Sequence, residues 1–156
     1  MTTISISTDL PLSAERARKL AATPEVMQFV LAPVLTFAMD EAPPPDVSVT
    51  PGFCASGRVK WFGLFPTWTH EIRIVRLDDL EIYTHERGGP VRTWNHRLAF
   101  LPLDDTTCRY TDEVEVEEGF RGWGTALFAR VIFRHRHRRW RLLASILAAE
   151  RDRRAR

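Results

Sequence analysis

The sequence has 156 residues, of which 44% are hydrophobic, 10% aromatic and 27% charged. This length and composition suit one folded domain, predicted over residues 1–150 with a basic tail over residues 151–156, and they exclude a chain that is disordered throughout. No apolar run reaches the roughly 18–20 residues of a transmembrane helix. Because the N-terminus also lacks the basic and apolar regions of a secretory signal, we expect a cytoplasmic protein.

Charge is divided unevenly along the chain, although the formal net charge is only +2. Residues 119–156 hold 11 arginines and two acidic residues, whereas residues 1–118 hold 11 basic and 18 acidic residues. The arginines of the basic segment would point all around a helix, and no nucleic-acid-binding module is visible, so we expect no nucleic-acid partner. An alternative is that this helix docks on an acidic partner or membrane. Charge reversal at Arg136 and Arg141 would then weaken association in a salt-dependent way.

Neither the cysteines nor the histidines have the spacing of a metal site. Cys54 and Cys108 lie in strand-like runs without a Cys-x-x-Cys motif, so we predict two buried, reduced thiols. His135 and His137 would stand about 200° apart on a helix and could not share an ion. We therefore predict no metal and no cofactor.

The first part of the chain combines strand and helix signals. Alternation of polar and apolar residues predicts a strand over residues 3–9. Ser13 and Thr23 then suit the N-caps of two short helices. A second short strand is predicted at residues 35–40, before the extended loop that prolines 43–45 impose.

From residue 53 onward, apolar residues alternate with a period of two. Short turn signals separate five such segments and favour an antiparallel meander: Phe53–Phe62, Thr67–Leu77, Leu80–Arg87, Val91–Leu103 and Thr106–Glu117. A stretch rich in Leu, Ala and Arg, from Trp123 to about Glu150, predicts one helix about 40 Å long. A twisted sheet of about seven strands curling around this helix would be an α+β fold with space for a ligand.

Several motifs in this order resemble the START-like SRPBCC superfamily, and in particular a bacterial subgroup without a defined reaction. The similar segments are Gly89-Pro90 followed by Trp94-x-His96 and Phe100, then the strand Thr107–Val114 with Asp112-x-Val114, Phe133-x-His135-Arg136, and Trp68 with Ile72. The resemblance spans about residues 3–148 and implies a helix-grip fold, in which a curved antiparallel sheet surrounds a long C-terminal helix. Leu98 and Val91 replace a histidine and an aromatic residue of the subgroup, which makes the expected site more apolar.

One candidate site lies on the last hairpin of the predicted sheet. Trp94, His96, Leu98 and Phe100 share a face that is mostly apolar and therefore inward. A tight turn would place His96 opposite Asp112 or one diagonal step away on the next strand. A carboxylate beside an imidazole raises its pKa and fixes its tautomer, as a general base requires. The alternative is a buried pair that satisfies only itself.

The predicted long helix supplies a second group of candidates. Phe128, Val131 and His135 fall on one helical face with Leu142 and Ile146, so His135 is expected to point at the sheet. Arg138 and Arg139 flank this face and could hold a ligand carboxylate or enolate, or could extend to water instead. Trp140 is expected at the helix margin or surface. Nine residues form the predicted ligand-binding set: Trp94, Leu98, Phe100, Tyr110, Phe128, Val131, His135, Arg138 and Arg139.

These patterns support three hypotheses of different classes. The first is a monomer or homodimer that binds an apolar or aromatic small molecule, such as a lipid, polyketide or quinone-like compound, between sheet and helix. The second is a polyketide cyclase or dehydratase in which His96 and Asp112 act as acid–base and an arginine stabilises an enolate. The third is the docking module with a basic helix.

Overall fold

The computed structural model describes residues 2–41, 49–89, 91–116 and 122–154. The predicted proline loop at residues 43–45, the motif residue Pro90 and the last two residues lie outside these ranges, as do the side chains of Val91 and Trp123.

Seven strands and three helices make up the described fold. In chain order they are β1 (Thr2–Leu10), α1 (Ala14–Ala21), α2 (Pro24–Leu31), β2 (Leu35–Met39), β3 (Cys54–Trp61), β4 (Phe65–Leu77), β5 (Glu81–Gly88), β6 (Val91–Pro102), β7 (Cys108–Val116) and α3 (Gly122–Arg154). The strands form one antiparallel sheet in the order β1-β7-β6-β5-β4-β3-β2. The predicted α+β helix-grip fold is therefore confirmed.

The helices begin where the sequence places their caps. Ser13 accepts a hydrogen bond from the Arg16 backbone at 3.4 Å, and Thr23 accepts one from the Val26 backbone at 3.4 Å. Because β1 and β2 are opposite edges of the sheet, α1 and α2 carry the chain from one edge to the other. None of the helices in the described ranges combines the length and apolar character that a membrane span requires.

The long helix α3 has 33 residues, which corresponds to about 50 Å. It continues to Arg154, four residues beyond the predicted end at Glu150. The helix therefore includes part of the segment expected to be a separate basic tail.

Two apolar clusters lie between the sheet and the helices. The first, here called the Trp140 cluster, joins α1 and α2 to β5–β7 and includes Leu10, Val30, Phe100, Tyr110 and Trp140. The second, the Phe133 cluster, lies along β1–β3 and β7 and includes Ile4, Phe37, Val59, Val114 and Phe133. On β7, Asp112 stands between the two clusters, so a polar layer divides the core.

The buried face of α3 differs from the predicted one. Its buried residues are Ala129, Ile132, Phe133, His137, Trp140, Ala144 and Ala148. Val131, Leu142 and Ile146 are instead about half exposed, at 53%, 48% and 47%. The face that packs on the sheet therefore carries small alanines, which permit a close approach, and has His137 near its middle.

Both cysteines of the chain lie in the described ranges and are free thiols, but only Cys108 is buried. Burial raises the pKa of Cys108 to about 11. Cys54 is exposed at the start of β3, so the prediction of two buried thiols is wrong for this residue.

Candidate functional site

A cavity of about 430 Å³ lies between the sheet, α2 and α3. Its volume is within the roughly 300–1,000 Å³ range of small-molecule sites. Most of the wall is apolar, with contributions from α2, five strands and α3; representative residues are Val30, Phe37, Val59, Ile72, Ile82 and Ile132. The helix-grip arrangement thus leaves a real space, which the sheet alone would not enclose.

A glycine turn after β5 leaves room for an aromatic ring in the cavity wall. Gly88, the last residue of β5, and Gly89, which follows it, have φ values of +131° and +72°, which favour glycine. A Cβ atom at Gly89 would lie 2.9 Å from the indole of Trp68. The turn therefore keeps the space that the Trp68 ring needs to form part of the cavity wall.

Polar side chains on β4, β5 and β6 meet at one part of the cavity. Glu86 Oε2 is 2.9 Å from His70 Nε2, and Glu86 Oε1 is 3.3 Å from His96 Nδ1. Thr84 donates its hydroxyl hydrogen to Glu86 Oε1 at 2.7 Å. All four residues line the cavity, and Glu86 is the carboxylate that connects them.

His96 also contacts Asp112, as the hairpin pattern predicts. The register of β6 and β7 pairs Leu98 with Asp112, so His96 is one diagonal step away. His96 Nε2 is 2.8 Å from Asp112 Oδ1, and the Asp112 side chain is fully buried. Phe133 stacks on the His96 ring with centroids 5.4 Å apart, which fixes the imidazole plane.

Two residues of α3 complete the surroundings of Asp112. Arg136 Nη2 is 3.5 Å from Asp112 Oδ1, and His137 Nε2 is 3.3 Å from Asp112 Oδ2. Arg136 also donates to the Tyr110 hydroxyl at 3.3 Å. Asp112 therefore joins both strands of the last hairpin to one turn of α3.

The buried charges stabilise one another. Burial alone would raise the pKa of Asp112, but Arg136, His137 and His96 hold the pKa of its carboxyl well below the usual range. Burial likewise opposes ionisation of Glu86, yet hydrogen bonds from His70 and His96 lower its pKa. Both carboxylates are thus ionised at neutral pH.

The contacts that lower the pKa values of the two carboxylates raise the pKa of His96. Burial would lower the pKa of its imidazole, but the hydrogen bonds to Asp112 and Glu86 raise it. A protonated ring donates from Nδ1 to one carboxylate and from Nε2 to the other. Because both nitrogens then carry hydrogen, the geometry suits an acid or donor and disfavours a general base.

The cavity wall includes some of the predicted ligand-binding residues. Trp94, Leu98 and Phe128 line it, together with the predicted catalytic residue His96. Asp112 lies behind His96 and Arg136. Within the described residues it is not part of the wall.

Two predicted ligand contacts on the sheet lie in the core instead. Phe100 and Tyr110 are almost fully buried, at 1% and 0% exposure, and their rings stack at 5.1 Å. The Tyr110 ring also packs on His137 at 4.9 Å and on Trp140 at 5.4 Å. These residues therefore support the Trp140 cluster and are displaced from the cavity wall.

Except for Phe128, the predicted ligand contacts on α3 are also displaced, because the helix is rotated from the expected orientation. His135 donates from Nε2 to the Ala32 carbonyl at 2.9 Å, and Arg139 donates from Nε to the Phe29 carbonyl at 3.1 Å. Both residues hold the end of α2. Arg138 and Val131 are exposed to solvent, so neither faces the cavity.

Most of the wall residues were not predicted as site residues, and those whose side chains carry N–H or carboxylate groups include His70, Glu86, Arg136 and Trp140. Glu86 follows Ile82 and Thr84 on the inward face of β5, a period-two signal that could have found it. Trp140 was expected near the surface and is 1% exposed. Arg136, expected on an outer basic face, instead points inward beside Asp112, with 13% of its side chain exposed. Charge reversal at Arg136 would therefore disrupt the core and would not test docking.

The described polar residues of the site do not form a metal centre, and no curated relative assigns them a role. In the ranges given above, no group of three or more His, Cys, Asp and Glu side chains could hold a metal ion. No curated protein sequence matches the chain.

Solved structures from other proteins share the fold. Protein CV1439 from Chromobacterium violaceum is 13% identical, with a TM-score of 0.74 over 92% of this chain and 98% of its own. A START superfamily protein from Mycobacterium smegmatis is 14% identical, with a TM-score of 0.69 over 93% and 98%. Norcoclaurine synthase from Thalictrum flavum, solved with dopamine and hydroxybenzaldehyde, is 13% identical, with a TM-score of 0.55 over 84% and 83%.

These likenesses show a START-like SRPBCC fold, as the motifs predict. A family of domains of unknown function, DUF8410, matches residues 8–143, which is most of the chain. The protein belongs to the DUF8410 family.

Proposed function

We propose that the protein binds an apolar or aromatic small molecule in the cavity between the sheet and α3. The observation that carries this proposal is the cavity itself, about 430 Å³ with a mostly apolar wall and one polar region. Binding there removes apolar ligand surface from water, while the polar groups orient the ligand. In support, the fold is shared with a START superfamily protein and with a synthase whose structure holds two aromatic molecules.

Aromatic side chains favour a ligand with a flat ring system. Trp68 and Phe128 meet edge to face at 6.3 Å, and so do Trp94 and Phe133. All four line the cavity. Aromatic walls of this kind suit polycyclic or quinone-like ligands, through offset and edge contacts with their rings.

Filling the cavity tests the proposal. The probe is N-phenyl-1-naphthylamine, a neutral fluorophore that brightens in apolar surroundings. Ala55 lies on the wall and is buried, so Ala55→Phe should remove space and reduce binding at least tenfold. Ser56 is exposed on the opposite face of β3, so Ser56→Phe is the matched control and should bind as the wild type does. Absence of saturable wild-type binding, or unchanged binding by Ala55→Phe, would refute cavity binding.

A second candidate function is acid–base catalysis of the cyclase type, favoured by the 2.8 Å contact of His96 and Asp112 beside the cavity. In this alternative the Glu86 carboxylate takes a proton from the carbon beside a ligand carbonyl, and the His96 imidazolium gives a proton to the carbonyl oxygen, so that a neutral enol forms. Arg136 would donate a hydrogen bond to the same oxygen. The test is hydrogen–deuterium exchange at the methyl group of 2-acetylnaphthalene in D₂O. Catalysis predicts faster exchange with the wild type than with His96→Ala, whereas equal rates with both proteins would exclude this role.

A further inference from the structure

The cavity wall carries buried N–H groups that the protein itself does not satisfy. Among the described residues, four wall nitrogens have no hydrogen-bond partner: Trp68 Nε1, His70 Nδ1, Arg136 Nε and Trp140 Nε1. Indole and guanidinium nitrogens can only donate. Buried donors are normally paired, so this group of atoms indicates that the ligand supplies hydrogen-bond acceptors.

Two of these donors come from the same face of α3. Arg136 and Trp140 are four residues apart, so their side chains leave the helix one turn apart and on the same side. Trp140 is 1% exposed, and the Arg136 side chain is 13% exposed. Solvent therefore reaches these side chains poorly, and a molecule bound in the cavity would supply their hydrogen-bond acceptor.

The carboxylate on the cavity wall is already engaged, because Glu86 is contacted by His70, Thr84 and His96. Asp112 lies behind the wall: its Oδ1 contacts His96 and Arg136, while its Oδ2 has His137 Nε2 at 3.3 Å and no hydrogen-bond partner among the described residues. The Arg136 guanidinium lies beside Asp112, and the His96 ring lies between the two carboxylates. A ligand carboxylate would add a third anion to this buried group, whereas a carbonyl oxygen would add none.

Resting on the proposed cavity binding, we propose that the ligand is uncharged and presents a carbonyl oxygen that accepts hydrogen bonds from Arg136 Nε and Trp140 Nε1. The apolar body of the ligand then lies among the aromatic and aliphatic side chains of the wall. The recognised class is therefore a neutral ketone, ester or quinone, and not a fatty acid or an aromatic carboxylate.

Three naphthalenes of similar shape test this specificity. They are 2-acetylnaphthalene, which has a ketone, 2-isopropylnaphthalene, which has none, and 2-naphthoate, which is an anion. Calorimetric titration of the wild type should give a dissociation constant about two- to tenfold lower for the ketone than for the hydrocarbon, as a net hydrogen bond predicts. The anion should bind more weakly than the ketone.

Substitution of two tryptophans locates the donor. Trp140→Phe removes the indole N–H and should bring the ketone-to-hydrocarbon ratio toward one. Trp61 is a partly buried tryptophan that does not line the cavity and is not among the buried unpartnered donors of the described residues, so Trp61→Phe is the matched control and should keep the wild-type ratio. The comparison of the three probes in the wild type does not depend on the folding of either variant.

The outcomes separate this inference from the proposed function. Equal affinities of the ketone and the hydrocarbon, tighter binding of 2-naphthoate, or a ratio that Trp140→Phe leaves unchanged would each overturn the carbonyl assignment while cavity binding stands. Failure of all three probes to bind would overturn cavity binding and the carbonyl assignment with it.

Discussion

The inner and outer faces of α3 are alike in composition and opposite in role. Each face carries arginine and large apolar side chains, for example Arg136 and Ile132 inside, and Arg138 and Val131 outside. The inner arginine is held between Asp112 and Tyr110, whereas the outer one is exposed to solvent. The difference shows that an arginine or a large apolar residue does not by itself indicate which face is buried. What distinguishes Arg136 is the Asp112 carboxylate that the sheet places beside it.

The largest effect is expected from removing the inner arginine. Arg136→Met leaves Asp112 buried without its guanidinium partner, which should lower the free energy of unfolding by about 3–5 kcal/mol. Arg138→Met on the outer face should change it by less than about 0.5 kcal/mol. Chemical denaturation of both variants measures the contrast, and equal losses would show that the two faces do not differ in this way.

Two adjacent apolar residues test the rotation of the helix. Ile132 is 6% exposed and Val131 is 53% exposed. Ile132→Ala should therefore cost about 2–4 kcal/mol of unfolding free energy, because it removes buried methyl groups and leaves a cavity. Val131→Ala should cost less than about 0.5 kcal/mol. A larger loss of unfolding free energy for Val131→Ala than for Ile132→Ala would show that the buried face is the one that the sequence pattern predicts.

The polar layer on the inner face should make stability depend on pH. The pKa of His96 is raised on folding, so its contribution is present below about pH 6.5 and is lost as the pH rises through the folded value. The pKa values of Asp112 and Glu86 are lowered, so their contributions are present above about pH 4 and are lost as the pH falls. Stability should therefore be highest between about pH 4.5 and 6.5.

His96→Gln isolates the alkaline part of this profile. In the wild type the free energy of unfolding should fall above pH 6.5, by at most about 1.4 kcal/mol per pH unit for one group. The variant should lose that slope. His85→Gln, a substitution at an exposed position on β5, is the control and should keep it. A wild-type profile without a decline on the alkaline side would contradict a protonated His96 between two carboxylates.

The smallest effect concerns the contact of α3 with α2. The Arg139 guanidinium lies 3.9 Å from the Phe29 ring centre and bonds the Phe29 carbonyl. Arg139→Met should cost about 1 kcal/mol, since one cation–π contact and one hydrogen bond are lost. Arg141→Met, at an exposed position on the same helix, serves as the reference in thermal unfolding. Identical melting temperatures of the two variants would show that Arg139 does not stabilise the contact between α2 and α3.

The sheet was more predictable than the helix for a physical reason. A strand alternates with a period of two, so an inward residue such as His96 identifies its neighbours, and a short hairpin brings Asp112 to it. On α3 the large apolar side chains predicted one face, while small alanines and the Asp112-bound Arg136 occupy the other. Glu86 was missed because an acidic side chain on a strand is normally solvated. Only the tertiary contacts with His70 and His96 explain its burial.

We expect ligands to occupy the cavity between the sheet and α3 and not to bind on the outer face of this helix. The most direct measurement is a two-dimensional NMR titration of the wild type with 2-acetylnaphthalene. We predict large shifts for the indole N–H of Trp140 and for the side chains of Ile72 and Ile132, which line the cavity. Shifts confined to the exposed Leu142 and Ile146 on the outer face would contradict the account.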